Sequence, residues 1–227
     1  MNNRKKKKKK RINYRKIIIF LILSISIILF IHKIFTARIT NIYVKGNTIY
    51  TDQEIIDMAG LKNHPNSIKN NFYVIENKLN KNKYILSSHI YKRNLLSKVY
   101  IEIKENYPLF YDSLNEETVL YDGKTTTDLF SVPTIINQIP DTIYDKFVSK
   151  LKDIDVSILY RISEIKYDPN EVDQKRFLLL MNDGNYVYIT INTFNRLNLY
   201  YEIVDSFDEK RGILYLDSGD YVKFFDE

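Results

Sequence analysis

Three histidines, 28 acidic residues and no cysteine are the groups from which this 227-residue chain would have to assemble a catalytic or metal site. Without cysteine there is no thiol nucleophile, no thiolate metal site and no disulfide framework. His32 ends a long apolar run, His64 stands beside Pro65 in a loop, and His89 falls in a strand-like stretch. None has a second ligand four residues on, the spacing with which one helical face grips a metal, so all three read as polar or structural groups. The adjacent acids Glu116 and Glu117 read as solvated loop residues. The patterns G-x-S-x-G and H-E-x-x-H are missing, and six glycines leave little from which to build a phosphate-cradling loop. Two carboxylates brought together only by folding leave no spacing to detect, so a membrane-anchored cell-envelope hydrolase using carboxylates stands as the competing reading.

The charge distribution says where any such chemistry would take place. The net charge of +6 is segregated: ten basic residues and no acid precede Ile17, leaving 24 basic against 28 acidic residues from there on. A mildly acidic bulk argues against a phosphate-binding groove and a nucleic-acid partner. The basic block, "RKKKKKKR" with Arg15 and Lys16 behind it, abuts Ile17 to Ile31, fifteen residues without a charge or an amide. Counted through Phe35 the apolar stretch spans roughly 28 Å as a helix, close to the ~30 Å of a bilayer core. A cleaved signal peptide would end in a small-x-small site, and "KIFTARIT" is a poor match, so residues 17–36 read as an uncleaved anchor. Arg4, Lys5, Lys10, Arg11, Arg15 and Lys16 then fix topology, holding residues 1–16 in the cytoplasm and placing the rest outside the membrane.

In the exported part, "RITNIYVKGNTIY" reads as a strand closing at a Gly46-Asn47 turn. Thr51 and Glu54 have the spacing of a capping box, and Gly60 supplies a left-handed stop to the helix between them. A second short helix puts Phe72, Ile75 and Leu79 on one face. "YILSSHIYKR" and "SKVYIEIKE" alternate as strands. The order strand, helix, helix, strand, strand is complete by Pro108. Downstream come an Asp122-Gly123 turn, the extended run "SVPTII", a helix burying Ile143, Phe147, Leu151 and Ile154, and a strand with Ile162 and Ile165. A hairpin is expected at Asn182-Asp183-Gly184-Asn185. A helix from Thr193 to Phe207 has Phe194, Leu197, Tyr201 and Val204 spaced for burial, and two last strands turn at Ser218-Gly219.

A basic tail and single span followed by these motifs resembles the FtsQ/DivIB family of bacterial cell-division proteins. The first exported unit is similar to that family's POTRA domain, with Val44, Gly46, Asn47, Thr51, Glu54, Ile55, Ala59, Gly60 and Leu61 in its opening motif and Ile101, Ile103, Glu105 and Pro108 in its closing one. "ISEI", "MNDG", "TFNRLNLYYEI" and "GILYLDSGDYV" resemble the family's β domain in the expected order. One departure is the absence of a proline near Leu95. The fold class implied is α+β: a single transmembrane helix, a small βααββ POTRA domain over residues 37–108, and a mixed β domain over 109–227 with a mostly antiparallel sheet and flanking helices.

The resemblance implies a divisome scaffold without catalysis, cofactor or metal. It would bind FtsL-like and FtsB/DivIC-like bitopic partners, and other divisome members, through the β domain, and help control septal peptidoglycan synthesis. A terminal strand in "YVKFF" would expose an edge able to template a partner strand. The expected contact residues are Tyr215, Leu216, Tyr221, Val222, Phe224 and Phe225, of which alternation sends about half into the core. The hydrolase predicts instead a pocket with converging acids, and a third reading, a POTRA-containing transport component, predicts several such units or a membrane barrel.

Overall fold

The structure is a computed structural model and describes residues 13–63, 65–94, 97–208 and 210–225. His64, the departure at Leu95, and the topology residues Arg4, Lys5, Lys10 and Arg11 lie outside the described residues. A first helix, α1 (Tyr14–Phe35), contains Arg15 and Lys16 in its first turn and His32 and Lys33 in its last, and none of its residues is buried against the protein. At 22 residues and a mean hydropathy of 2.7 it is long and apolar enough to cross a membrane. The described chain divides into two compact units between Glu105 and Asn106.

The first unit contains β1 (Asn41–Lys45), α2 (Asp52–Ala59), α3 (Phe72–Leu79), β2 (Ile85–Arg93) and β3 (Lys98–Glu105). Its three-stranded sheet has the order β1-β3-β2, with β1 parallel and β2 antiparallel to β3. Each helix starts and stops where local chemistry dictates. Thr51 and Glu54 form the expected capping box and Gly60 ends α2 in the left-handed region at φ 71°, while Asn71 caps α3 through the Tyr73 amide. The apolar stripe Ile55, Ala59, Ile75 and Leu79 packs on Ile85, Ile90, Val99, Ile101 and Ile103 of the sheet.

The second unit begins with a hairpin the sequence reading did not foresee, β4 (Pro108–Asp112) and β5 (Glu117–Leu120). Pro108 opens β4 here rather than closing the first unit, and Glu117 is a strand residue behind a turn in which Glu116 takes φ 55°. There follow β6 (Thr125–Thr126), β7 (Thr134–Ile135), α4 (Asp141–Leu151), α5 (Val156–Leu159), β8 (Ile162–Tyr167), β9 (Arg176–Met181) and β10 (Tyr186–Thr190). The chain then passes through α6 (Tyr200–Val204), flanked by 3-10 turns, to β11 (Gly212–Tyr215) and β12 (Tyr221–Phe224). All nine strands form one sheet in the order β12-β11-β10-β9-β8-β7-β4-β5-β6. Helices cover one face, where Phe110, Phe147, Phe177 and Phe194 form an aromatic cluster with centroid separations from 4.9 to 6.0 Å.

The stretch 193–207 corrects an expectation. Tyr200 is buried, at 1% exposure, whereas Tyr201 is 39% exposed. The cause is the 3-10 geometry of Phe194–Leu199, whose three-residue turn stacks Phe194, Leu197 and Tyr200 on one side. Regular α-helical spacing would have carried the stripe to Tyr201.

Candidate partner-binding edge

Besides the topology residues, two sets singled out from the sequence lie in the folded units, and the structure gives them different work. The opening and closing motifs of the first unit converge on one loop. Gly46 has φ +84°, and a Cβ there would lie 2.0 Å from the Ile103 carbonyl oxygen, so only glycine fits. Val44 pairs with Ile101 in the ladder. The Asn47 amide donates to the Tyr50 carbonyl at 2.8 Å and to Asp52 Oδ1 at 2.9 Å. Glu105, only 4% exposed, accepts from the backbone amides of Thr48, Ile49 and Tyr50. Thr51 and Glu54 then cap the helix that follows, and the Thr51 amide and hydroxyl, donating to its carboxylate, hold Glu54 below the usual carboxylate value. These residues lock a loop against a strand end.

The second set lies at the carboxyl end of the other unit. Strand β12 pairs antiparallel with β11, in the register Gly212 to Phe224, Leu214 to Val222 and Tyr215 to Tyr221. Gly212 permits this approach: a Cβ there would sit 2.5 Å from the Lys223 carbonyl oxygen. Beyond β12 no further strand pairs among the described residues. The Phe225 amide donates to the Arg211 carbonyl at 2.9 Å, which marks 211 and 225 as a hydrogen-bonded pair. Antiparallel ladders alternate, so residues 221, 223 and 225 turn their backbone groups to β11, and Val222 and Phe224 turn theirs to the open edge.

Side chains on the edge divide by face. Tyr221 is 52% exposed and stacks on Tyr215 at 4.5 Å, which stacks in turn on Tyr188 at 5.3 Å. Phe225 meets Tyr186 edge-on at 5.6 Å on that same face. On the helix side Val222 packs against the core, and Phe224 meets the buried Phe207 edge-on at 5.3 Å while remaining 41% exposed. Leu216 is a correction: at 1% exposure, with its amide donating to the Tyr188 carbonyl at 2.8 Å, it is a core residue and cannot meet a partner.

Sequence reasoning missed the residues that hold this edge. The Arg176 guanidinium lies 3.6 Å over the Tyr188 ring and pairs with Asp168 at 3.1 Å and Asp217 at 2.7 Å. The alternation of "NYVYIT" would have put Tyr186 and Tyr188 on one face. No sequence spacing links Arg176 to Asp217.

No group of three or more histidine or acidic residues is placed to hold a metal among the described residues. Residues 37–106 match the family model described as POTRA domain, FtsQ-type. The chain is 29% identical to cell division protein DivIB of Bacillus subtilis (strain 168), covering 93% of this chain and 84% of that protein. It is 27% identical to cell division protein DivIB of Bacillus cytotoxicus, covering 100% and 92%. Among solved structures, the major extracytoplasmic domain of the cell division protein DivIB from Geobacillus stearothermophilus matches at 22% identity and a TM-score of 0.38, covering 45% of this chain and 93% of that one. These relatives carry the name of a cell-division protein and not of an enzyme.

Proposed function

We propose that the chain, whose first unit matches the FtsQ-type POTRA model and whose length aligns with DivIB relatives, belongs to the FtsQ/DivIB family of bacterial cell-division proteins and is a single-pass, non-catalytic scaffold of the divisome. Helix α1 anchors it, with the basic amino terminus in the cytoplasm and both folded units outside. At the septum the second unit binds FtsL-like and FtsB/DivIC-like partners, and through them the protein helps control septal peptidoglycan synthesis.

What supports a binding role for this unit is the edge of β12. Val222 and Phe224 direct backbone donors and acceptors away from the sheet, with Tyr221, Phe224 and Phe225 exposed beside them. A partner segment in extended conformation would add as a tenth strand, gaining affinity from main-chain hydrogen bonds and specificity from the flanking aromatic rings. Residues 193–207 support the hairpin from behind through Phe207.

Proline substitution separates this edge from the fold. Val222→Pro or Phe224→Pro removes an outward amide and leaves the β11 ladder intact, whereas Lys223→Pro removes an inward one. In a pull-down with an FtsB/DivIC-like partner, the first two should cut binding by about tenfold or more while the domain stays folded. Undiminished capture by either folded variant would sink the proposal.

A further inference from the structure

The open face of the first unit's sheet carries side chains that the loop lock does not use. Strand register sets them in rows: Asn41, Lys98 and Arg93, then Tyr43, Tyr100 and Tyr91, then Lys45, Glu102 and His89. The three tyrosines stack, Tyr43 on Tyr100 at 4.9 Å and Tyr100 on Tyr91 at 5.2 Å with only 5° between the planes. The Arg93 guanidinium lies 5.3 Å from the centres of both Tyr91 and Tyr100. Helices α2 and α3 pack on the opposite face.

Arg93 and Lys98 are directly opposed across the ladder, an arrangement of like charges that costs stability. Neither of the first two rows contains a carboxylate, and Glu102 in the third accepts the Tyr91 hydroxyl at 3.0 Å. The cationic row is also the one nearest the anchor helix. Only residues 36–40 separate α1 from β1, and the Thr40 amide donates to the Ser97 carbonyl at 2.8 Å. A concavity lined by Phe30, Lys33, Ile34 and Arg38 at the helix exit is completed by Asn94 and Ser97 from the β2–β3 connection. Four cations (Lys33, Arg38, Arg93 and Lys98) thus gather where α1 leaves the bilayer, with the tyrosine row about 7 Å beyond along the strands.

We propose that this face is a membrane-contact surface for anionic phospholipid. Arg93 and Lys98 engage headgroup phosphates and the tyrosine row enters the interfacial layer, where amphipathic rings are favoured, so that the sheet lies down on the outer leaflet. The inference rests on α1 crossing that bilayer.

The chain contains no cysteine, so a single introduced one takes a fluorophore without background. Ser87, on the open face opposite Lys104, lies about 20 Å from the cationic row along the strand. Its approach to lipid therefore reports the sheet lying down. Full-length Ser87→Cys and the helix-side control Gln53→Cys would be labelled and incorporated into nanodiscs holding headgroup-quencher lipid, made either of phosphatidylcholine alone or with phosphatidylglycerol added. Quenching at position 87 but not at 53 is expected in the anionic discs. It should be lost with Arg93→Glu/Lys98→Glu and, for the chain without those changes, at about 0.5 M salt. Equal quenching at 87 in both discs, or quenching indifferent to salt, would overturn the inference alone. Quenching at 87 that requires an added division protein would assign the face to that protein and overturn the lipid assignment. Failure to incorporate into either disc would overturn the anchor reading and this inference with it.

Discussion

Arg176 holds Asp217 at 2.7 Å, tying the loop between β11 and β12 to a strand three places into the sheet. Side-chain exposure is 13% for the arginine and 8% for the aspartate, so the pair is largely out of solvent. Removing one partner of such a pair strands the other charge. Arg176→Ala should lower stability by about 3 kcal/mol and remove the cation over Tyr188. Hydrogen exchange should quicken along residues 217–224 more than in β8 or β9. Uniform exchange across the sheet would show that the ion pair does not set the edge apart.

Two aromatic truncations and one core truncation should separate binding from folding. Tyr221→Ala and Phe225→Ala remove exposed rings, so partner affinity should fall by about 2 kcal/mol, as for an interface anchor, with little change in melting temperature. Leu216→Ala empties a core position and should cost about 2–5 kcal/mol of stability. Calorimetry of folding and of partner binding on the same three variants checks the division.

Gly212→Ala tests the closeness of the last two strands. The added Cβ would meet backbone, 2.5 Å from the Lys223 oxygen and 2.9 Å from the Phe224 Cα, so β12 itself must shift. Partner binding should weaken at least about tenfold, while thermal unfolding of the first unit is unmoved.

Glu105→Gln replaces a carboxylate acceptor of three amides with a group that presents its own donors to them. A loss of about 1–3 kcal/mol is expected in the first unit, read by urea unfolding. Binding at the β12 edge should be unchanged.

Acid should loosen α2 through Glu54. Its pKa is lowered from 4.5, first by the Thr51 amide and then by the Thr51 hydroxyl. The stabilisation is therefore complete above 4.5 and lost as pH falls through the lower folded value. Exchange of the first-turn amides of α2 should rise across that interval in the unaltered chain and be nearly flat in Glu54→Gln.

The first unit was legible in the sequence because its determinants are local. A capping box spans four positions, a left-handed glycine ends its own helix, and alternation in "VYIEIKE" shows a half-buried strand by itself. The second unit was legible element by element but not in its assembly. Strand β7 is two residues long, too short for any period, and β11 lies parallel to β10 across an intervening helical segment. The β4–β5 hairpin was hidden because Pro108 looks like a terminator when it opens a strand. The edge position of β12 could be anticipated from its place at the end of the sheet. Which of its aromatics face out depended on register, and the Arg176 clamp on contacts 41 residues apart.

The shortness of β7 has a mechanical meaning. Backbone hydrogen bonds across the sheet from β12 to β4, near where the chain enters from Asn106, pass through a short segment around Thr134 and Ile135, which pair with Tyr111 and Asp112 on one side and Glu164 and Ile165 on the other, with Pro133 adding a bond to the first side and Ile136 one to the second. A pull applied by a strand docked at the far edge is carried through this waist by a few rungs, and otherwise by apolar packing of the helices behind it. Tension during constriction of the cell would concentrate there. With two residues between longer neighbours, β7 is where such a load would be expected to open the sheet first.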